Sequence, residues 1–175
     1  MQTHAVIAVR RTQAYHCAIA LCDGVGMFQE QDAEQTLDEG LAEYHAANPG
    51  LLDMHLLSPA AASFFRCHDA VHVVYGCGTS MADEAYVKIC SIWGTTAGLR
   101  VLSGYRLHES RQIYASLSVR EVFRGIGGSA ISVPLALACC LKQTRRWPFD
   151  GFQEFGSVPL AQIRRRFGIR VRRRP

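Results

Sequence analysis

The 175-residue sequence lacks the features that mark membrane-spanning, disulfide-rich and β-rich proteins. Its longest apolar run, 130–141, is shorter than the roughly 18–20 residues that a spanning helix needs, and it contains Ser132 and Pro134. Strand signals are sparse, because no hairpin dipeptide lies between alternating apolar segments. The seven cysteines are odd in number and show no C-x-x-C spacing, so buried free thiols in a reducing compartment are expected.

These absences leave an all-α fold as the expectation. At 175 residues the chain is long enough to bury a substantial core, and its 49% apolar and 19% charged content is typical of globular proteins. We predict a single-domain multi-helix bundle of six to eight helices over residues 1–175. Helices are expected at about 5–21, 33–47, 59–75, 81–93 and 129–141, with another reaching about Val122 and a short one beginning near Val158.

Acidic residues are also missing from the C-terminal end, where seven of the eleven residues from Arg164 to Arg174 are arginine. Without those seven charges the formal net charge falls from +4 to −3, so the basic character belongs to a tail at 164–175. A solvated end, or contact with an anionic membrane surface, explains this charge better than nucleic acid, because no aromatic platform accompanies it. The expected location is cytoplasmic, with peripheral membrane association as an alternative (on the mitochondrial matrix side in a eukaryote).

Against this background one stretch concentrates metal-binding side chains: His68, Asp69 and His72, with Glu84 twelve residues later. Each residue of an α-helix advances about 100°, so His68 and His72 lie about 40° apart on one face and Asp69 about 100° from His68. Capping signals at Ser58-Pro59 and at Ser80 predict one helix before the turn and another after it. If these two central helices pack antiparallel, Glu84 faces back toward the histidines.

A mixture of imidazole and carboxylate ligands suits Zn, Fe, Co or Mn better than Ca or Mg. We therefore predict that His68, Asp69, His72 and Glu84 hold one divalent metal, with Zn as the first expectation and Fe or Co as alternatives. A zincin protease would have Glu, acting as a general base, after the first His. Here Asp69 occupies that position, and neither a third His at the expected spacing nor a Met-turn pattern follows, which argues against a protease.

Other polar residues carry weaker signals. His108 and Glu109 could act as acid–base groups near a substrate, or they could form the exposed first turn of a helix. His45 and His55 have no partner at ligand spacing, so both are assigned to structure or surface. The string Gly125–Gly128 is preceded by no strand, and it indicates a turn or a close helix approach rather than a dinucleotide site.

The motif also carries a family resemblance. His-Asp-x-x-His, then eleven residues and Glu, resembles the signature of the coenzyme Q (ubiquinone) biosynthesis family usually called COQ-four. The segment 83–88 looks like that family's Gly-Glu-aliphatic-x-aliphatic-Lys stretch, and 157–169 looks like its closing Pro-Leu-x-x-aliphatic-Arg…Leu-Gly-Ile. The resemblance covers about 60–100 and 155–170. Asp83 departs from the pattern, because a Gly is usual there.

The resemblance implies a metal-dependent oxidative decarboxylase or lyase. Its reaction would remove the C1 carboxylate of a polyprenylated 4-hydroxybenzoate precursor, coupled to hydroxylation there, with the prenyl chain in a hydrophobic groove. Two alternatives stay open: a non-catalytic lipid-binding scaffold for a quinone-biosynthesis complex, and a related metalloenzyme acting on a smaller aromatic natural product. The expected partners are a polyprenyl-phenol or another hydrophobic small molecule and a second copy in a homodimer, and not nucleic acid.

Overall fold

The structure, a computed structural model, describes residues 26–49, 51, 57–105 and 119–172 of the chain. Over these residues the backbone forms six α-helices and no β-strand, which confirms the predicted all-α multi-helix fold. The helices are α1 (Leu37–Ala47), α2 (Pro59–Val74), α3 (Met81–Trp93), α4 (Val101–Gly104), α5 (Val119–Leu141) and α6 (Leu160–Phe167). The helix predicted at 5–21 lies outside the described residues.

The two helices that carry the metal motif begin where their capping residues predict. Ser58 accepts a hydrogen bond from the backbone N–H three residues later and starts α2, and Ser80 does the same at the start of α3. α1 begins later than the predicted start near residue 33. Thr36 and Glu39 form a capping box, so the helix begins only at Leu37.

α5 is longer than predicted. It runs without a break from Val119 to Leu141, so the turn expected at Gly125–Gly128 lies inside the helix, as does Pro134. Glycine and proline both disfavour a helix interior, but α5 lies along α3 in the most extensive helix contact of the described residues. Packing against a neighbouring helix therefore overrides local propensity here.

α2 is the central helix of the described fold. Every residue from Cys67 to Val74 is buried, and α1, α3 and α6 all pack against it. α3 is less enclosed than α2, and Trp93 at its end exposes 53% of its surface. The motif residues of α2 therefore lie in the core, while α3 has one face toward solvent.

Arg164 belongs to the core and not to an exposed basic tail. It lies on α6, is 0% exposed, and donates hydrogen bonds to the backbone carbonyls of Phe28, Glu30, Val73 and Val74. Burial lowers the pKa of its guanidinium to about 10, so it is still charged at neutral pH. One arginine thus ties the segment before α1 and the end of α2 to α6.

The remaining described arginines of the C-terminal segment differ from one another. Arg172 pairs with Asp83 of α3, whereas Arg165, Arg166 and Arg170 are exposed. No helix among the described residues is long and apolar enough to cross a membrane. Peripheral membrane contact through the basic segment and a homodimer both stay predictions.

Candidate metal centre

Three side chains converge between α2 and α3. His68 and His72 project from α2, and Glu84 lies in the first turn of α3; one ligand atom from each falls within 4.8 Å of the other two. His72 Nε2 is 3.3 Å from Glu84 Oε1, and His68 Nε2 is 3.9 Å from Glu84 Oε2. Two ligands of one ion, each about 2.1 Å from it, span separations of this size. The predicted site between the two central helices is therefore present as a cluster that can hold a metal ion.

The two imidazole nitrogens that face this point lack hydrogen-bond partners. Both His68 Nε2 and His72 Nε2 are buried without one, and the 3.3 Å approach of Glu84 is an ion-pair contact without hydrogen-bond geometry. A buried polar atom left unsatisfied costs free energy, so such atoms call for an explanation. A divalent cation accepting both lone pairs beside one carboxylate satisfies all three groups, and the donor set fits Zn, Fe or Co.

The surroundings of His72 set which nitrogen is available. Its Nδ1 donates a hydrogen bond to the backbone carbonyl of Gly78 at 2.9 Å, and its ring stacks on Tyr44 with centroids 5.3 Å apart. A proton held at Nδ1 leaves the lone pair on Nε2, which is the atom facing Glu84. The turn between α2 and α3 therefore both positions Glu84 and selects the tautomer that binds a metal.

Asp69, the fourth predicted ligand, engages a different set of partners. Its Oδ2 accepts a hydrogen bond from His45 Nε2 at 2.9 Å, and its Oδ1 lies 4.0 Å from Nδ1 of His68. It thus approaches the opposite side of the His68 ring from Glu84. A carboxylate at this position orients a metal-binding histidine and raises its basicity. Direct ligation by Asp69 stays a prediction.

His45 is the residue that sequence reasoning missed, since it was assigned to structure or surface. It lies near the end of α1, with 46% of its side chain exposed, and reaches the buried Asp69 of α2. No spacing rule links positions 45 and 69, because their meeting depends on how α1 packs on α2. A buried aspartate beside a motif histidine was the available signal that a further hydrogen-bond donor must face it.

Charge within the cluster stabilises its ionised groups. Burial opposes ionisation of Glu84, but contact with His72 and the charges of both histidines lower its pKa to about 2. Burial likewise opposes protonation of His72, yet the contact with Glu84 and its charge outweigh burial and raise the pKa of His72 above its usual 6.5. For Asp69, burial is outweighed by the hydrogen bond from His45, and its pKa is lowered. Glu84 and Asp69 are therefore ionised at neutral pH, and their negative charges favour a cation at this site.

A cavity of about 310 Å³ lies beside the centre. Phe64 separates the two: its ring lines the cavity and lies 5.9 Å from the His68 ring and 5.2 Å from the Tyr105 ring. The ring of Phe64 packs directly against the backbone of Gly104, where a Cβ would lie only 2.1 Å from the ring. Cys67 also lines the cavity, and burial raises the pKa of its thiol to about 11, so it stays protonated at neutral pH.

The other predicted acid–base pair, His108 and Glu109, lies outside the described residues, as does His55. Comparisons of the chain with protein-family models, with curated proteins and with solved structures find no match. The site is therefore interpreted from its own geometry and chemistry.

Proposed function

We propose that this protein binds one divalent cation through His68, His72 and Glu84 and acts as a metal-dependent enzyme. The reaction proposed is the one that the COQ-four resemblance implies: C1 decarboxylation and hydroxylation of a polyprenylated 4-hydroxybenzoate precursor. The observation that supports it most is the pair of buried imidazole nitrogens without hydrogen-bond partners, both facing one carboxylate. Zn is proposed first, with Fe or Co as alternatives.

A bound divalent ion would supply Lewis acidity toward a substrate carboxylate or phenolate. The protein's own groups prepare the site for such a substrate. Glu84 contributes one negative charge, and Asp69 and Gly78 fix the two imidazole rings through their Nδ1 sides. Phe64 and Tyr105 cover the His68 ring with apolar surface, which limits water on that side.

Metal binding is tested first. Purified protein is stripped with a chelator, reloaded with Zn²⁺, Fe²⁺ or Co²⁺, and analysed by elemental analysis and titration calorimetry. We expect one ion per chain, with affinity lost in Glu84→Gln and kept in Glu154→Gln, a matched change at an exposed carboxylate. Equal affinity in the two variants would show that the ion does not bind at this cluster.

Enzymatic activity needs a separate measurement. Release of carbon dioxide from a prenylated 4-hydroxybenzoate is followed for the wild type and for His72→Ala, with circular dichroism confirming the fold. Loss of turnover in the folded variant supports the enzyme. A folded, metal-free protein that still sustains quinone formation together with its partner enzymes supports the scaffold alternative instead.

The size of the cavity favours a second candidate, a smaller aromatic substrate. At about 310 Å³ it is at the lower end of the roughly 300–1,000 Å³ that ligand pockets occupy. A hydroxybenzoate ring fits within such a space, whereas a long polyprenyl chain would extend beyond it. Comparing kcat/KM for substrates with no, one and several isoprene units separates the two: a decline with added units favours the smaller substrate, and a rise favours the polyprenyl one.

A further inference from the structure

Away from the metal centre, two cysteines from different helices are in contact. Cys90 lies on α3 and Cys140 on α5, and their sulfurs are in hydrogen-bond contact at 3.8 Å. The two sulfurs lie within the most extensive helix contact of the described residues, that of α3 with α5. Both are thiols in the structure.

The two thiols have different surroundings. Cys90 is 0% exposed, whereas Cys140 is partly exposed to solvent. Burial and the contact with Cys140 raise the pKa of Cys90, and the contact with Cys90 lowers the pKa of Cys140 despite partial burial. A cysteine that solvent can reach, in contact with a buried one, is the arrangement of an attacking and a resolving cysteine.

We propose that Cys90 and Cys140 are a peroxide-sensitive dithiol that closes to an intramolecular disulfide between α3 and α5. The Cys140 thiolate attacks one oxygen of hydrogen peroxide, the O–O bond breaks, and Cys140 becomes a sulfenic acid as hydroxide leaves. The Cys90 sulfur then attacks the sulfenic sulfur, giving the disulfide and water. Over both steps two thiols lose two electrons and two protons, and one peroxide is reduced to two waters.

Closure requires the sulfurs to approach from 3.8 Å to the roughly 2.05 Å of a disulfide, a displacement that side-chain rotation can supply. The adjacent Cys139 is a poorer partner for Cys140. Consecutive helical residues point about 100° apart, so a bond between them would require the helix to unwind. The pairing across the helix contact is therefore the expected product.

This site is independent of the proposed metal chemistry. Cys90 lies six residues beyond Glu84, about 9 Å farther along α3. Disulfide formation should therefore proceed equally in chelator-treated protein. If no disulfide forms, the metal-binding proposal is unaffected. If no metal binds, the dithiol proposal is unaffected.

The test is peroxide treatment of the full chain in chelator, followed by alkylation, trypsin digestion and mass spectrometry. Trypsin places Cys90 in peptide 89–100 and both Cys139 and Cys140 in peptide 125–142, so a linked pair two hydrogens lighter than their sum reports the bond. We expect this pair in the wild type and in Cys139→Ser, its loss in Cys140→Ser, and its reversal by dithiothreitol.

Oxidation of Met27, which is 43% exposed, serves as the measure of peroxide dose. Circular dichroism of each variant confirms that it is folded. Wild-type protein whose Met27 is oxidised while peptides 89–100 and 125–142 stay unlinked would overturn the proposal. Linkage that persists in Cys140→Ser and disappears in Cys139→Ser would also overturn it, because the partner of Cys90 would then be the wrong cysteine.

Discussion

His45 connects the metal cluster to solvent through a buried carboxylate. Asp69 is 4% exposed and would be a costly isolated charge, but it accepts a hydrogen bond from His45 on one side and faces the Nδ1 atom of His68 on the other. His68, one of the proposed metal ligands, is thus held in place by the Asp69 carboxylate, and Asp69 is in turn held by His45 of α1. Such outer partners commonly change metal affinity by about 10–100-fold when they are removed.

Replacing His45 should therefore weaken metal binding without unfolding the protein. For His45→Ala we expect about a 10-fold loss of Zn²⁺ affinity, because Asp69 loses its donor and holds the His68 ring less firmly. His45→Gln keeps an N–H donor and should recover part of the loss. Titration calorimetry measures both variants. An affinity in His45→Ala equal to that of the wild type would show that the His45–Asp69 contact does not act on the site.

Two of the groups with shifted pKa values, His72 and Glu84, predict a pH dependence for the stability of the chelator-treated protein. His72 has a pKa raised above its usual 6.5, so it adds to the free energy of unfolding below pH 6.5, and this is lost as pH rises through the raised value. Glu84 has a pKa lowered from 4.5 to about 2, so its contribution is present above pH 4.5 and is lost as pH falls toward 2. The charge of Asp69 acts on His72 in the same direction as Glu84.

The contribution of this pair should therefore be greatest between about pH 4.5 and 6.5. Urea unfolding of chelator-treated protein across pH 3–9 measures it. Glu84→Gln should flatten the profile over this window, and Glu154→Gln should leave it unchanged. A Glu84→Gln profile parallel to that of the wild type would contradict the assignment.

At the scale of elements, Arg164 is the clearest case of one side chain joining several segments. Removing it takes a donor from four backbone carbonyls in two separate segments. The carbonyls of Glu30 and Val73 still accept from the N–H groups of Ala33 and Gly76, whereas those of Phe28 and Val74 lose the donor that Arg164 supplies. Each buried group left unsatisfied costs about 1–3 kcal/mol. We expect Arg164→Ala to lower the free energy of unfolding by at least about 3–5 kcal/mol, with some of the carbonyls regaining water.

Arg165→Ala is the matched control, since Arg165 is the next residue of α6 and is exposed. It should change the free energy of unfolding by less than about 0.5 kcal/mol. Urea denaturation of both variants at one pH provides the comparison. Equal stability of the two variants would mean that the carbonyl contacts of Arg164 contribute nothing net.

Elements also show which parts of this fold local sequence can predict. The helices of the motif were predictable because Ser58 and Ser80 cap them through contacts only three residues long. The spacing of His68 and His72 fixed their shared face. By contrast, the unbroken α5 and the buried Arg164 result from contacts between distant segments. A glycine string or an arginine run looks the same in sequence whether or not such contacts form. The turn at Gly125–Gly128 and the assignment of Arg164 to a basic tail were therefore wrong, whereas the other interpretation of the glycine string, a close helix approach, stays a prediction.

On the scale of the whole molecule, the cavity and the metal centre share one wall. Phe64 of α2 packs on the His68 ring and on Gly104 of α4. A change in α4 that moves the Phe64 ring therefore changes the surroundings of His68. Gly104→Ala adds a Cβ about where the Phe64 ring lies, and the ring must move. We expect it to shrink the cavity and to raise KM for the smaller aromatic substrate several-fold with kcat less affected. Gly151→Ala is the control, because Gly151 does not line the cavity and a Cβ added there comes no closer than 3.7 Å to a neighbouring atom.

A cation held between α2 and α3 should stabilise the whole fold, because it binds the folded chain and not the unfolded one. At a free concentration 100 times its Kd, such a ligand adds about 2.7 kcal/mol to the free energy of unfolding. For a chain of this length that corresponds to a rise in Tm of about 5–10 °C.

Zn²⁺ or Co²⁺ should produce this rise in the wild type and in Glu154→Gln but not in Glu84→Gln. Mg²⁺ and Ca²⁺ should produce little, because they prefer sets of oxygen ligands to two imidazoles. Differential scanning calorimetry of chelator-treated protein makes the comparison, and an equal rise with Ca²⁺ would show that the stabilising ion binds elsewhere.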